Sequence, residues 1–213
     1  MVIGTALNLV FTITLSYGLS REGLKGRTFL TGFVFFTMLF SGGMIPTFIL
    51  VKGVGLIDSR WAMVLPCLIN TWNLLIMRNF FYGIPKSLEE AAVIDGANDA
   101  QVLVKIVLPL SKASIATIGL FYAVSHWNAW FDAMLYINTT ALLPMQNILR
   151  NIITAASSIG DLGAEAYNSL DVVPPSQAIR AATIVITTLP ILVAYPFVQK
   201  YFVKGVMVGS VKG

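Results

Sequence analysis

Between Ser87 and Leu110 the sequence SLEEAAVIDGANDAQVLVKIVLPL gathers four carboxylates, Glu89, Glu90, Asp95 and Asp99, in a chain whose long neighbouring segments are apolar. Clustered carboxylates can hold a metal, move protons or dock on a partner. A zinc-type site would draw on His or Cys, and the chain has one of each, His126 and Cys67, both far from this stretch. No HExxH, GxSxG or CxxC occurs. The nearest approach to a phosphate-cradling loop, GLKGRT at Gly23–Thr28, has the wrong spacing for GxxxxGK[ST]. No metal and no cofactor are therefore expected, and ATP hydrolysis, if the protein uses it, belongs to a partner. An enzyme reading has only His126 and Asp132 to stand on, and is the remote alternative.

Docking explains the stretch better. Ser87-Leu-Glu-Glu90 has the S-x-x-E pattern of a capping box, so a short helix is predicted to start at Ser87. Gly96 supplies a left-handed stop, and Asn98 through Gln101 reads as a second N-cap with its reciprocal partner. Ala91 and Ala92 leave a face of minimal volume that a groove of another protein can approach closely. Val102, Ile106 and Leu110 form the apolar side of the second helix. An amphipathic helix lying on lipid headgroups is the competing reading, but its acids are poor ligands for an anionic leaflet.

The elements that must carry this loop are membrane helices. The 213 residues are 56% hydrophobic and 11% charged, with a mean hydropathy of +0.78, against about 25% charged in a soluble domain. Five stretches are predicted to span: about 2–19, 29–50, 61–84, 108–131 and 178–202. The protein reads as an all-α integral membrane protein with lipid around it. Ser41, Gly42, Gly43 and Pro46 interrupt the second stretch. Asn70 and Asn73 with Pro66 and Met77 mark a polar side of the third, and Ser114, Thr117, Phe121, Ser125 and Asn128 a stripe on the fourth. Such stripes are either interhelical glue, at about 1 kcal/mol per bond, or the lining of an aqueous path. Asn70, Asn73, Ser125 and Asn128 are the candidate lining. His126, beside Trp127 and Trp130, reads as a member of an interfacial aromatic belt, and Cys67 as packing.

Lysine and arginine fix the orientation. Arg21, Lys25, Arg27, Lys86, Lys105, Lys112, Lys200, Lys204 and Lys212 fall in one set of alternate connections, and Lys52, Arg60, Arg150 and Arg180 in the other. The positive-inside rule places the first set, the 85–110 loop and the C-terminus in the cytoplasm. Residues 132–177 then form an extracytoplasmic loop, where Leu142, Leu143, Met145, Ile148, Leu149, Ile152 and Ile153 predict an amphipathic helix, and Pro174-Pro175 a stiff turn. Five spans ending inside require an N-terminus outside. Met1 nevertheless opens directly into apolar residues with neither basic flank nor cleavage pattern, so a preceding tail and helix are read as lacking. A net charge of +4, spread along the chain, gives no case for nucleic acid.

The spacing Glu90-Ala91-Ala92, three residues, Gly96, nine residues, Ile106, one residue, Leu108-Pro109 resembles the EAA motif in membrane subunits of binding-protein-dependent ABC importers. Asn70-Thr-Trp-Asn, Ser125-His-Trp-Asn and the tail from Gln199 to Met207 resemble the carbohydrate branch, close to the smaller maltose-type permeases and the oligosaccharide permeases. The resemblance covers essentially the whole chain. It implies a type I importer fold over 1–213 with the first of six usual helices missing. It also implies that 85–110 is the coupling loop entering a cleft of a dimeric ABC ATPase, with Lys204, Gly205 and Gly209 as tail contacts. A second permease subunit, homologous or identical, and an extracytoplasmic solute-binding protein are the other partners, in the inner membrane of a prokaryote. Import of a sugar or oligosaccharide by alternating access is the expected function; an amino-acid or peptide permease stays open as the alternative.

Overall fold

The structure, a computed structural model, describes residues 1–161, 178 and 180–193. Among these there is no strand. The longest apolar helix is α1 (Val2–Ser20), the one helix among the described residues that by itself is long and apolar enough to cross a bilayer. The second stretch breaks into α2 (Arg27–Leu39) and α3 (Met44–Gly53), bent by 111°. Ser41-Gly42-Gly43 makes the break, with Gly43 at a φ of +89° that other residues resist.

The third stretch is not a continuous helix. Residues 60–63 form one 3-10 turn and irregular turns follow, until α4 (Thr71–Tyr82) begins. Pro66 cannot supply a helical N–H, and Asn70 restarts the helix by accepting the Asn73 N–H at 3.1 Å. The polar connection follows as α5 (Lys86–Ile94) and α6 (Asp99–Val102). A wide π turn at Leu103–Val107 leads to the short α7 (Leu108–Leu110). α8 (Lys112–Trp127) leaves at 84° to the run before it. Beyond lie α9 (Phe131–Tyr136), the amphipathic α10 (Met145–Asp161) and α11 (Arg180–Val193). Among the described residues the predicted stretches thus take the form of one straight helix, two bent pairs and shorter helices, the fifth being described only to residue 193.

α1, α4 and α8 pack on one another. α1 turns a polar edge inward: Asn8, Thr12 and Ser16, one turn apart, are all buried. Asn8 Nδ2 donates to the Cys67 carbonyl (2.8 Å) and its Oδ1 meets His126 Nε2 (3.1 Å). Thr12 Oγ1 pairs with Tyr122 Oη (2.7 Å), which also accepts the Asn70 N–H (3.0 Å). Ser16 Oγ donates to the Leu74 carbonyl (3.0 Å). Asn8, at the Cys67 carbonyl, and Tyr122, at the Asn70 N–H, satisfy backbone that the broken third stretch leaves outside a helix, which a membrane interior demands. His126 is therefore half-buried against α1. It sits so close to Gly4 that a Cβ there would lie 2.7 Å from Nε2.

Candidate functional site: the clasped two-helix loop

α5 starts one residue earlier than its capping pattern predicts. Its N-cap is Pro85, whose φ of −58° is already set for the turn, and no side chain caps the end. With Lys86 helical, the Glu90 N–H joins the i to i−4 ladder, so Ser87 has no cap to make and is exposed inside the first turn. Glu89 takes the favourable place for an acid near a helix N-terminus.

α5 ends in a Schellman turn. The Ala97 N–H donates to the Ala92 carbonyl (2.9 Å) and the Gly96 N–H to that of Val93 (3.0 Å), with Gly96 at φ +83°. Two residues later Asn98 and Gln101 form a complete capping box, Gln101 N–H to Asn98 Oδ1 at 2.9 Å and Asn98 N–H to Gln101 Oε1 at 3.0 Å. Both stops consume backbone groups that would otherwise be free, so the two short helices are held at a defined joint.

The loop has two faces. Ser87, Glu90, Ala91 and Ile94 share the exposed outward one, of which Glu90 and Ile94 also border the cleft toward α1, and Ile94 is 85% exposed. Ala92 and Ala97 turn inward onto the buried cluster of Tyr17, Met77, Phe81, Val102, Val107, Ile118 and Tyr122. Ile106 lies in the π turn and Leu108 and Pro109 in α7, at the point where the chain bends into α8. Pro109 lacks the N–H for the Lys105 carbonyl, a physical cause for the widened turn. The motif residues are thus brought together at one end of the bundle, on two helices and a bend.

Arg21, read from sequence only as a topology charge, occupies the inner side. Its guanidinium pairs with Glu89 Oε2 of α5 and, at 2.9 Å, with Asp99 Oδ1 of α6. It lies 5.2 Å above the Tyr17 ring, and Tyr17 Oη donates to the Asp99 carbonyl at 3.3 Å. Next to it Lys86 Nζ meets Glu22 Oε1 at 2.5 Å. That hydrogen bond, then the opposite charge, holds the Glu22 carboxyl below its ordinary range and the Lys86 ammonium above its own. A cleft of about 980 Å³ separates the end of α1 from α5, lined by Tyr17, Arg21, Glu22, Glu89, Val93 and Asp99. The missed signal was available: the loop's acids outnumber its bases, while the basic connection 21–27 carries no function of its own.

Of the candidate path residues, Asn73 is buried between helices, whereas Asn70, Ser125 and Asn128 are exposed on the chain. Lys204, Gly205 and Gly209 lie outside the described residues. At the opposite end Asp58, at φ +59°, binds residues 138 and 139, and Arg150 of α10 stacks 4.1 Å from the Trp130 ring centre. Among the described residues no group of three or more His, Cys, Asp or Glu side chains could hold a metal ion.

The family described as binding-protein-dependent transport system inner membrane component matches residues 10–208. The chain is 53% identical over 213 residues to the polygalacturonan/rhamnogalacturonan transport system permease protein YtcP of Bacillus subtilis, covering all of this chain and 73% of that protein. It is 51% identical to protein LplC of the same organism, covering all of this chain and 71% of LplC. A crystal structure of a bacterial ABC transporter involved in the import of the acidic polysaccharide alginate superposes with a TM-score of 0.84 at 37% identity, over 94% of this chain and 71% of that one.

Proposed function

Because the chain belongs to the inner-membrane components of binding-protein-dependent transport systems, we propose that it is a permease subunit of an ATP-driven importer for a sugar or oligosaccharide. The observation that carries the reading is the two-helix loop at 86–102, stopped by the Gly96 turn and the Asn98 box and presenting Glu90, Ala91 and Ile94 outward. A rigid, small-faced projection is what an ATPase cleft can grip. Closure of a dimeric ATPase around ATP would displace it, and α4 and α8, which flank the loop, would carry the movement to the path. Alternating access by rigid-body motion is the mechanism this supports.

The charge pattern supports a cytoplasmic loop and C-terminus. Residues 21–27 and 86–102 meet at one end of the bundle, as two connections on one side of a membrane must. A second permease completes the path, and the 132–177 loop with α10 is the surface offered to a solute-binding protein. The relatives named for polygalacturonan and rhamnogalacturonan, and the alginate importer, make oligosaccharides of uronic acids the first substrates to test.

The experiment joins both ends of the claim. Ala91→Cys in a Cys67→Ala background is crosslinked in membranes containing the ATPase, second permease and binding protein, and uptake of labelled oligogalacturonides, neutral maltodextrins and dipeptides is measured. An ATPase adduct with saccharide uptake is expected. Dipeptide uptake alone would overturn the substrate class, and no adduct in a transporting complex would overturn the coupling role.

A further inference from the structure

We propose that Arg21 is a positioning residue for energy coupling: it sets the angle between α5 and α6 and ties both to α1, so that α1 moves with the loop. The inference rests on residues 86–102 being the ATPase contact. Its own basis is where the three charges stand. Glu89 precedes the Gly96 joint and Asp99 follows it, and one guanidinium holds both. No side chain packs on Gly96 itself, since a Cβ there would meet nothing within 4 Å. Two backbone bonds and the Ala92 and Ala97 contacts fix the turn locally; the clasp spans it.

A planar fork suits this task and an ammonium does not, because five fixed donors can serve two carboxylates at once. Arg21 is also anchored from behind. The Tyr17 ring beneath it is buried and meets Phe81 of α4 edge-on, centres 6.4 Å apart. The path from loop to bundle therefore runs Asp99, Arg21, Tyr17, Phe81, each link a contact in the structure. Arg21 caps the C-terminal end of α1, where a cation is favoured. The Arg21 and Glu89 side chains are only 25% and 19% exposed, whereas Asp99, at 77%, is the exposed end of the clasp, and Lys86 and Glu22 are 58% and 53% exposed. Solvent thus screens the Lys86–Glu22 pair more than the Arg21–Glu89 arm, which makes Lys86 a suitable control.

The test uses the complete transporter in proteoliposomes, with ATP hydrolysed per substrate imported as the readout and all values scaled to assembled complex. A merely structural staple would change the amount assembled and leave this ratio alone. Arg21→Gln is expected to raise the ratio about fivefold or more, the lower range for a lost coupling between sites. Glu89→Gln should act in the same direction, Arg21→Lys should lie between, and the double variant should be no worse than Arg21→Gln because both remove one interaction. Lys86→Gln should match the wild type. A wild-type ratio in Arg21→Gln complexes overturns the proposal; if that variant fails to assemble, wild-type ratios in Arg21→Lys and Glu89→Gln do so. An unmodified complex in which Ala91→Cys never reaches the ATPase overturns the underlying reading instead, and with it this one.

Discussion

Replacing Gly96 isolates the joint of the two-helix loop, the proposed coupling element, from any clash with neighbouring side chains. Its φ of +83° lies where a side chain costs about 1–2 kcal/mol, and the open space around its Cβ adds no clash. Against that cost stand the two backbone bonds of the Schellman turn, at about 1 kcal/mol each. The terms are of equal size, so alanine leaves the turn poised between strained and open, and valine, β-branched, opens it. An equilibrium shift of one or two kcal/mol is a factor of about 5–30 in population. Gly96→Val should therefore reduce substrate uptake in proteoliposomes by about that factor, while membrane insertion, judged by protein recovered in the bilayer fraction, is unchanged. Gly53→Ala is the matched control: it ends α3, has equally open space and no left-handed φ, so alanine is neutral or slightly stabilising there. Wild-type uptake and wild-type ATPase association in Gly96→Val would refute the reasoning.

Two further outcomes are expected. With Cys67 replaced by alanine, cysteine at Lys25 should react with an impermeant maleimide only after the membrane is permeabilised, and cysteine at Lys52 in intact cells; the reverse pattern would invert the topology. Asp58 Oδ1 accepts the N–H groups of Asn138 (2.9 Å) and Thr139 (2.8 Å), and Oδ2 the Thr139 hydroxyl (2.6 Å); these bonds, the hydroxyl first, hold its carboxyl below the ordinary range. A depressed folded pKa gives stability that is present above the ordinary value of about 3.9 and lost as pH falls through the folded one. The unfolding midpoint of the detergent-solubilised protein should thus drop more steeply below about pH 4 in wild type than in Asp58→Asn, and parallel curves would count against the clamp.

Local signals survived into the structure where they concerned the backbone. The left-handed glycine, the Asn98 box and the break at Ser41-Gly42-Gly43 each follow from residues adjacent in sequence, and each is present. The Ser87 cap failed because Pro85 already sets the helix start. Pro66 and Asn70 held the signal for the broken third stretch, but uniform hydropathy hid it: an apolar run can be turn as well as helix if another element supplies bonds. That supply comes from Asn8 and Tyr122, more than fifty residues away. The pairing of Arg21 across 68 and 78 residues leaves no local pattern either, only the imbalance of charge between the two connections.

The acids that opened the question therefore divide into two kinds of work. Glu89, partly buried, and Asp99, exposed, are both engaged by Arg21, whereas Glu90 remains on the outward face, beside Ala91 and Ile94. The proposed coupling role calls for both: a face to be gripped and a stiff root. Stiffness continues inward through the buried bonds of α1, which make α1, α4 and α8 one packet. Compliance is confined to the places where helical bonding fails, the glycine break between α2 and α3 and the π turn and bend before α8. Ser111 at that bend is fully buried, and its hydroxyl has no partner among the described residues. A displacement of the outward face should then rotate the packet about these breaks rather than shear helices past one another, because sliding α1 along α4 would tear the Asn8 and Ser16 bonds together.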